Sequence, residues 1–121
     1  MRRDMDLIKF LLGKMESAGP DTSYTPTPAE FPGRNPPSEP ELSEHCRLIV
    51  ERGLARGEPS FSGWVLTGLT WDGHDFLDNS RDSRVWKAAK DAAGRFSFGV
   101  FTATLAEAAK AAALKALEKA F

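Results

Sequence analysis

A single cysteine, Cys46, in 121 residues excludes an internal disulfide and fits a reducing compartment. No apolar run approaches the ~20 residues that a membrane-spanning helix needs. Charge of neither sign predominates: 16 Lys and Arg stand against 17 Asp and Glu, a net charge of −1. There is therefore no global basic field to gather nucleic acid or anionic lipid. An export signal is also wanting. The N-terminus carries Arg2 and Arg3 ahead of apolar residues, but Asp4, Asp6 and Lys9 interrupt the apolar core and no small-residue cleavage site follows. A cytoplasmic chain is the expectation. What remains is ordinary: 41% hydrophobic and 27% charged residues, the balance of a soluble globular protein. The length supports one core and is too short for two, which predicts a single domain over 1–121.

The stretch Leu66–Trp86 organises the chain. It reads as a strand end, a Thr cap, a short helix, a second cap and another helix. Trp71, Phe76 and Trp86 are expected in the core, with Leu66, Leu69, Leu77 and Val85. Before it, Asp4 can cap a helix whose apolar face is Met5, Ile8, Leu12 and Met15 with Leu11 alongside, stopped by Gly19-Pro20. Seven of the eight prolines lie in 20–40, so that segment is neither helix interior nor central strand. Tyr24 and Phe31 are its expected anchors, with a short edge strand near Ser23–Thr27. Ser38-Glu39-Pro40-Glu41 is a capping box. It opens a helix through Arg52 that buries Leu42, His45 or Cys46, Ile49 and Val50, and Gly53 closes it.

Leu54–Glu58 and Gly63–Leu69 read as a hairpin around the turn PSFS, and Gly68 marks a bulge or a close backbone approach. Thr70 caps the next helix. Ser80 or Asp82 starts another, with Val85, Ala88, Ala89 and Ala92 as a small-residue face and Ala93-Gly94 as its end. Ser97 can cap a last helix, Phe98–Ala120. Seven of the sixteen residues from Thr104 to Lys119 are Ala, the strongest helix former. One stripe of that helix is Phe101, Leu105, Ala108 and Ala112; another is Leu114, Leu117 and Phe121. A domain this small has room to bury one, which leaves a partner helix or a homodimer for the other. The fold class is α+β, mostly α.

Little here carries chemistry. His45, Cys46 and His74 are the soft metal-ligand candidates, but neighbours on a helix point about 100° apart and no ligand spacing occurs. Asp72, Asp75 and Asp78 lie near His74, yet no nucleophile or oxyanion hole accompanies them. Asp near a helix start is explained by the dipole, and Asp78 with Arg81 or Arg84 reads as a structural ion pair. Gly63, Gly68 and Gly73 fit no phosphate loop. The expectation is no catalytic, cofactor-binding or metal residue.

The order of helix, loop, capped helix ending in Gly-Leu, hairpin and LT-x-x-G-x-x-F-L helix resembles a winged-helix domain. That likeness implies a reading helix at Glu39–Arg52 and a wing at 54–69. RRDMDLI at 2–8, HCRLIVERGL at 45–54 and LTWDGHDFLDNSRDSRVW at 69–86 together resemble an uncharacterised bacterial and prophage family of domains of unknown function. The resemblance implies a winged-helix-like fold and a bacterial or phage source, and supplies no activity. Residues 39–52 carry two Arg against four Glu, a net −2, which a duplex phosphate surface would repel. A protein-interaction or adaptor role is therefore favoured, aimed at a host regulatory or defence system, with DNA-binding regulation as the alternative. The candidate interaction residues are Arg47, Arg52, Arg56, Arg81, Arg84 and Lys87, with Lys90 beside them.

Overall fold

The computed structural model describes residues 3–31, 35–61, 63–93 and 97–120. In order the elements are α1 (Met5–Ala18), a 3₁₀ turn (Pro28–Glu30), α2 (Glu39–Glu51), β1 (Ala55–Ser60), β2 (Gly63–Leu69), α3 (Trp71–Asn79), α4 (Ser83–Ala93) and α5 (Phe98–Ala120). This is the mostly helical α+β class that the periodicity predicts, with one antiparallel hairpin and a long C-terminal helix. The chain forms two compact units, Met1–His74 and Asp75–Phe121. No described helix is long and apolar enough to cross a membrane.

In the first unit the Asp4 carboxylate accepts the Leu7 N–H at 3.1 Å and so caps α1. Ile8, Leu11, Leu12 and Met15 are buried as their spacing requires; Leu7 joins them, while Met5 is half-buried. This face packs on α2 and β2. The expected edge strand shrinks to one bridge: Tyr24 N–H donates to Leu66 O at 2.9 Å and Leu66 N–H to Tyr24 O at 2.8 Å. Pro26 and Pro28 have no N–H, so the pairing does not continue. The segment is pinned instead by Glu30, whose carboxylate accepts the Tyr24 hydroxyl and the Thr27 N–H, both at 2.9 Å, with the Lys14 ammonium at 3.9 Å. Phe31 is buried, its ring 4.5 Å from that of Phe10.

The first hairpin strand runs further than predicted, through Ser60, and includes Pro59. Leu66 turns its N–H and C=O away from β1, toward Tyr24. Trp64, two residues along β2, has the same orientation by strand alternation. Pro59 pairs with Trp64, so the ladder does not require the N–H that proline lacks. Of the expected turn, Ser62 lies outside the described residues. Arg56 faces Gly68 but Gly57 faces Leu66, which leaves Thr67 as the extra residue of a bulge. The bulge read from Gly68 is therefore present; the alternative, a close backbone approach, is not what is found, because the atom a Cβ there would meet, at 2.5 Å, is a nitrogen of the Arg56 side chain.

Gly53, at φ 79°, carries the chain out of α2 through the left-handed region. The turn it makes is locked by Thr70. The Thr70 N–H donates to Leu54 O at 3.1 Å, and its hydroxyl donates to Gly53 O. The Thr70 hydroxyl oxygen in turn accepts the Gly73 N–H at 3.1 Å and caps α3.

In the second unit Phe76, Leu77, Trp86, Ala89, Phe101 and Leu105 are buried. Trp86 meets Phe76 at 5.8 Å and 85°, and Phe101 at 5.4 Å and 79°, both edge-to-face arrangements. Asp82, not Ser80, caps α4, accepting the N–H groups of Arg84 (2.8 Å) and Val85 (3.3 Å). Ser80 is wholly buried and donates to Leu77 O at 2.8 Å. The small-residue face narrows to Ala89 beside Trp86, since Ala88 is exposed and Val85 half-buried; the Ala92 side chain and Gly94 lie outside the described residues. Ser97 caps α5 through the Val100 N–H at 3.3 Å.

Phe101 and Leu105 are buried, and Ala108 and Ala112 half-buried, as the first α5 stripe predicts. Leu114 and Leu117 of the second stripe are exposed, and Phe121 lies outside the described residues. At about 1.5 Å per residue, the 11 residues of α4 cannot span the 23 of α5, and residues 113–119 are exposed.

Among the residues expected in the core, Val50, Leu69 and Val85 are only half-buried. Phe76 and Trp86 are buried, but Trp71 is 83% exposed.

Candidate interaction surface

The sequence fixes which side of α2 faces inward. Ser38 caps it, its hydroxyl oxygen accepting the Glu41 N–H at 3.2 Å, and Pro40 sits in the first turn where no N–H is needed. Leu42, His45, Cys46 and Ile49 then fall on the buried side, so His45 and Cys46 are both interior. His45 is fully buried. Its Nε2 accepts the Asp4 N–H at 2.9 Å, and its Nδ1 lies 2.7 Å from Glu41 O. The two contacts assign the ring proton to Nδ1, which donates to that carbonyl. The imidazole thus ties the start of α1 to α2.

Burial pushes the Cys46 thiol up to about 12. A thiol raised above its unfolded value of roughly 8.5 stabilises the fold fully below that pH and loses the contribution as pH rises toward the folded value. Tyr24, raised by burial and by the Glu30 carboxylate, acts in the same direction at still higher pH. We expect urea midpoints to fall between pH 8 and 10.5, and to fall less for Cys46→Ala. Equal falls in the two proteins would show that the thiol titrates alike in the folded and unfolded chains.

The outward side of α2 is acidic. Glu39, Glu41 and Glu51 are exposed and Glu44 is half-buried. Arg47 is held between two of them. Its Nε donates to Glu44 at 3.0 Å, and its terminal nitrogens pair with Glu44 and Glu51. The pairing holds the Glu44 carboxyl below the usual range and pushes the guanidinium upward.

The other candidate cations divide between the two units. Arg52 is the exposed C-cap of α2. Arg56, on β1, is exposed and lies over Gly68. Both belong with Arg47 to the first unit. Arg81, Arg84 and Lys87 belong to the second. There Arg81 pairs with Asp78 at 3.1 Å, the structural ion pair that the sequence predicts. Arg84 lies 3.8 Å from Asp82, and Lys87 is exposed. Lys90 lies 5.8 Å from the Trp86 ring centre, a cation–π distance. Among the described residues no three His, Cys, Asp or Glu side chains are grouped so that they could hold a metal ion.

A groove of about 360 Å³ opens beside α2. Its floor is Leu42 and Cys46, one wall is Pro26 and Pro28, and the other is Trp64 with Phe61 at the hairpin tip. Glu39 stands in its lining. It forms because Tyr24 makes only one bridge to β2, after which the proline segment no longer pairs with it. Apart from Leu42 and Cys46, read as buried, and Glu39, counted in the acidic charge of 39–52, none of these residues carries a sequence expectation beyond its element. The available signal was Pro26 and Pro28 directly after the anchoring Tyr24.

The chain belongs to the family DUF2513, described as a hypothetical protein, which matches residues 2–98. That match takes in the elements from α1 to α4 and stops at the first residue of α5. A relative from Haemophilus influenzae named "Uncharacterized protein" is 31% identical over 94 residues, covering 74% of this chain and 76% of its own length. No solved structure matches the chain.

Proposed function

We propose that this chain is a non-catalytic, winged-helix-like interaction module that acts by docking on another protein in the bacterial cytoplasm. The target is a component of a host regulatory or defence system, and the source is phage-derived. The phage part rests on the resemblance of RRDMDLI, HCRLIVERGL and LTWDGHDFLDNSRDSRVW to a prophage family. The winged-helix part is supported by the order α1, bridge, α2, β1, β2.

One observation carries the choice of a protein partner. The helix that would read a duplex turns four Glu outward or partly outward, and two of them hold Arg47. To contact phosphate, Arg47 must first leave both carboxylates, and the remaining Glu repel the duplex. DNA-binding regulation is the second reading. It is favoured by the exposed Trp71 ring and by Arg56, for which no carboxylate partner is described. An exposed aromatic ring offers a face on which a base can stack. The stretches 113–119 of two copies, with exposed Leu114 and Leu117, supply a contact for self-association within the same reading.

The test is purification from bacterial cells with and without nuclease, with sedimentation of the same preparation and duplex titration at two salt concentrations. We expect a protein partner retained through nuclease. We also expect duplex binding no tighter than the roughly 10⁻⁴–10⁻⁶ M of non-specific contact, unchanged by Arg47→Glu. Tight, salt-sensitive binding lost in Arg47→Glu/Arg52→Glu would make α2 a reading helix. A 13.3 kDa species alone at high concentration would reject self-association.

A further inference from the structure

From the groove beside α2 we infer that the partner docks as an extended segment, adding a strand to the open edge of β2, with apolar side chains alternating with Lys or Arg. This deepens the adaptor reading and rests on it.

The first support is the strand edge. Leu66 directs its N–H and C=O to Tyr24, on the side of β2 away from β1. Alternation aims the N–H and C=O of Trp64 the same way, where the proline segment supplies no pairing strand. An unpaired strand edge is a template for another extended chain, and main-chain pairing of this kind gives affinity without demanding one sequence.

The second support is what lies beneath and around that edge. Leu42 and Cys46 form an apolar floor, and Phe61 stands fully exposed at the lip. A volume of about 360 Å³ is that of a small ligand pocket. A strand lying on the edge would turn alternate side chains toward the floor, which selects apolar residues there. The neutral, buried thiol of Cys46 adds no charge to repel them.

The third support is charge. The lining holds one charged residue, Glu39, and no cation among the described residues pairs with it. The first unit as a whole carries 8 Lys and Arg against 11 Asp and Glu, a net −3. A basic residue next to the apolar anchor meets Glu39, while an acidic segment or a phosphate backbone is repelled. The groove lies on residues 26–64, inside the 2–98 stretch matched by the family.

The experiment selects a random linear heptapeptide library against the immobilised full chain. The enriched peptides are then synthesised and added to the ¹⁵N-labelled full chain for amide correlation spectra. The expected winners alternate apolar residues with Lys or Arg, shift the amides of Leu42, Gly63 and Trp64, and slow hydrogen exchange at Trp64. N-methylating the peptide residue that faces Trp64 should abolish binding. Glu39→Lys should weaken binding about tenfold, and Glu39→Gln, which preserves the first turn of α2, less so.

Four results would overturn the inference: no enrichment over a bare surface, acidic winners, shifts confined to other amides, or affinities indifferent to Glu39→Lys. It also fails if the same amides shift with protein concentration alone, which would place a second copy in the groove, or on adding a twelve-base-pair duplex. A partner retained through nuclease that binds wild type and Glu39→Lys equally leaves the adaptor reading standing and removes the groove. If no protein is retained, the adaptor reading fails whatever the peptides do.

Discussion

Replacing Gly73 with alanine is expected to destabilise the protein by about 3 kcal/mol or more, a fall in melting temperature on the order of 10 °C. A Cβ at residue 73 would stand 1.9 Å from the Leu54 carbonyl oxygen and 3.0 Å from its carbon. Both are backbone atoms, so no rotamer change relieves the contact. The Leu54 oxygen is also held in place, because it accepts the Thr70 N–H at 3.1 Å. Moving it away strains that bond and the Thr70 hydroxyl bridge between Gly53 and Gly73, each worth about 0.5–1.5 kcal/mol.

Gly13→Ala is the matched control. It lies within α1, and nothing stands within 4 Å of the added carbon. There alanine should stabilise by roughly 0.5–1 kcal/mol through helix propensity and unfolded-chain entropy. Thermal melts of the two variants decide the matter. A Gly73→Ala midpoint within about 2 °C of wild type would sink the close-approach account, since a shift that small corresponds to under about 1 kcal/mol.

The helix starts were legible because capping is local. Asp4, Ser38, Thr70 and Ser97 each sit within three residues of the N–H they accept, so residue type and spacing locate the helix start. The hairpin's length was less legible. Pro59 looked like turn chemistry, and only the orientation of Leu66 toward Tyr24 shows why a proline is tolerated opposite Trp64. The role of His45 was not legible at all. Its partner is the backbone N–H of Asp4, forty-one residues away, and backbone groups leave no mark in sequence. The groove is of the same kind, since it exists where a third strand stops pairing.

The structural picture also explains why Arg47 misleads as a lone candidate. Counted in sequence it is a cation on a prospective reading helix. On a helix, residues three and four apart are neighbours, and Arg47 has Glu44 and Glu51 at those distances. The engagement seen in the structure follows from that spacing. The acidity that argues against duplex on α2 is then the same property that makes Glu39 a complement for a basic segment at the groove.

Phe76→Ala and Trp86→Ala are each expected to cost about 3–5 kcal/mol, while Trp71→Ala should cost less than about 0.5 kcal/mol. The three residues look alike in sequence, and the helical wheel separates them. Gly73, Phe76 and Leu77 of α3 and Ser80 just after it recur at steps of three, one and three and are all buried. Trp71 falls on the opposite side, and its size gave it weight that its position does not support. Phe76 and Trp86 are 4% and 5% exposed. Trp86 is the shared partner of two edge-to-face contacts, with Phe76 and Phe101, each worth about 0.5–1.5 kcal/mol beyond its buried area. Its loss therefore removes both contacts and leaves a cavity between α4 and α5, which pack on each other in the second unit. A double-mutant cycle with Phe76→Leu and Trp86→Leu, read by urea denaturation, should give a coupling of about 0.5–1.5 kcal/mol. A Phe76→Ala loss below about 1 kcal/mol would mean that the ring is not part of a packed core.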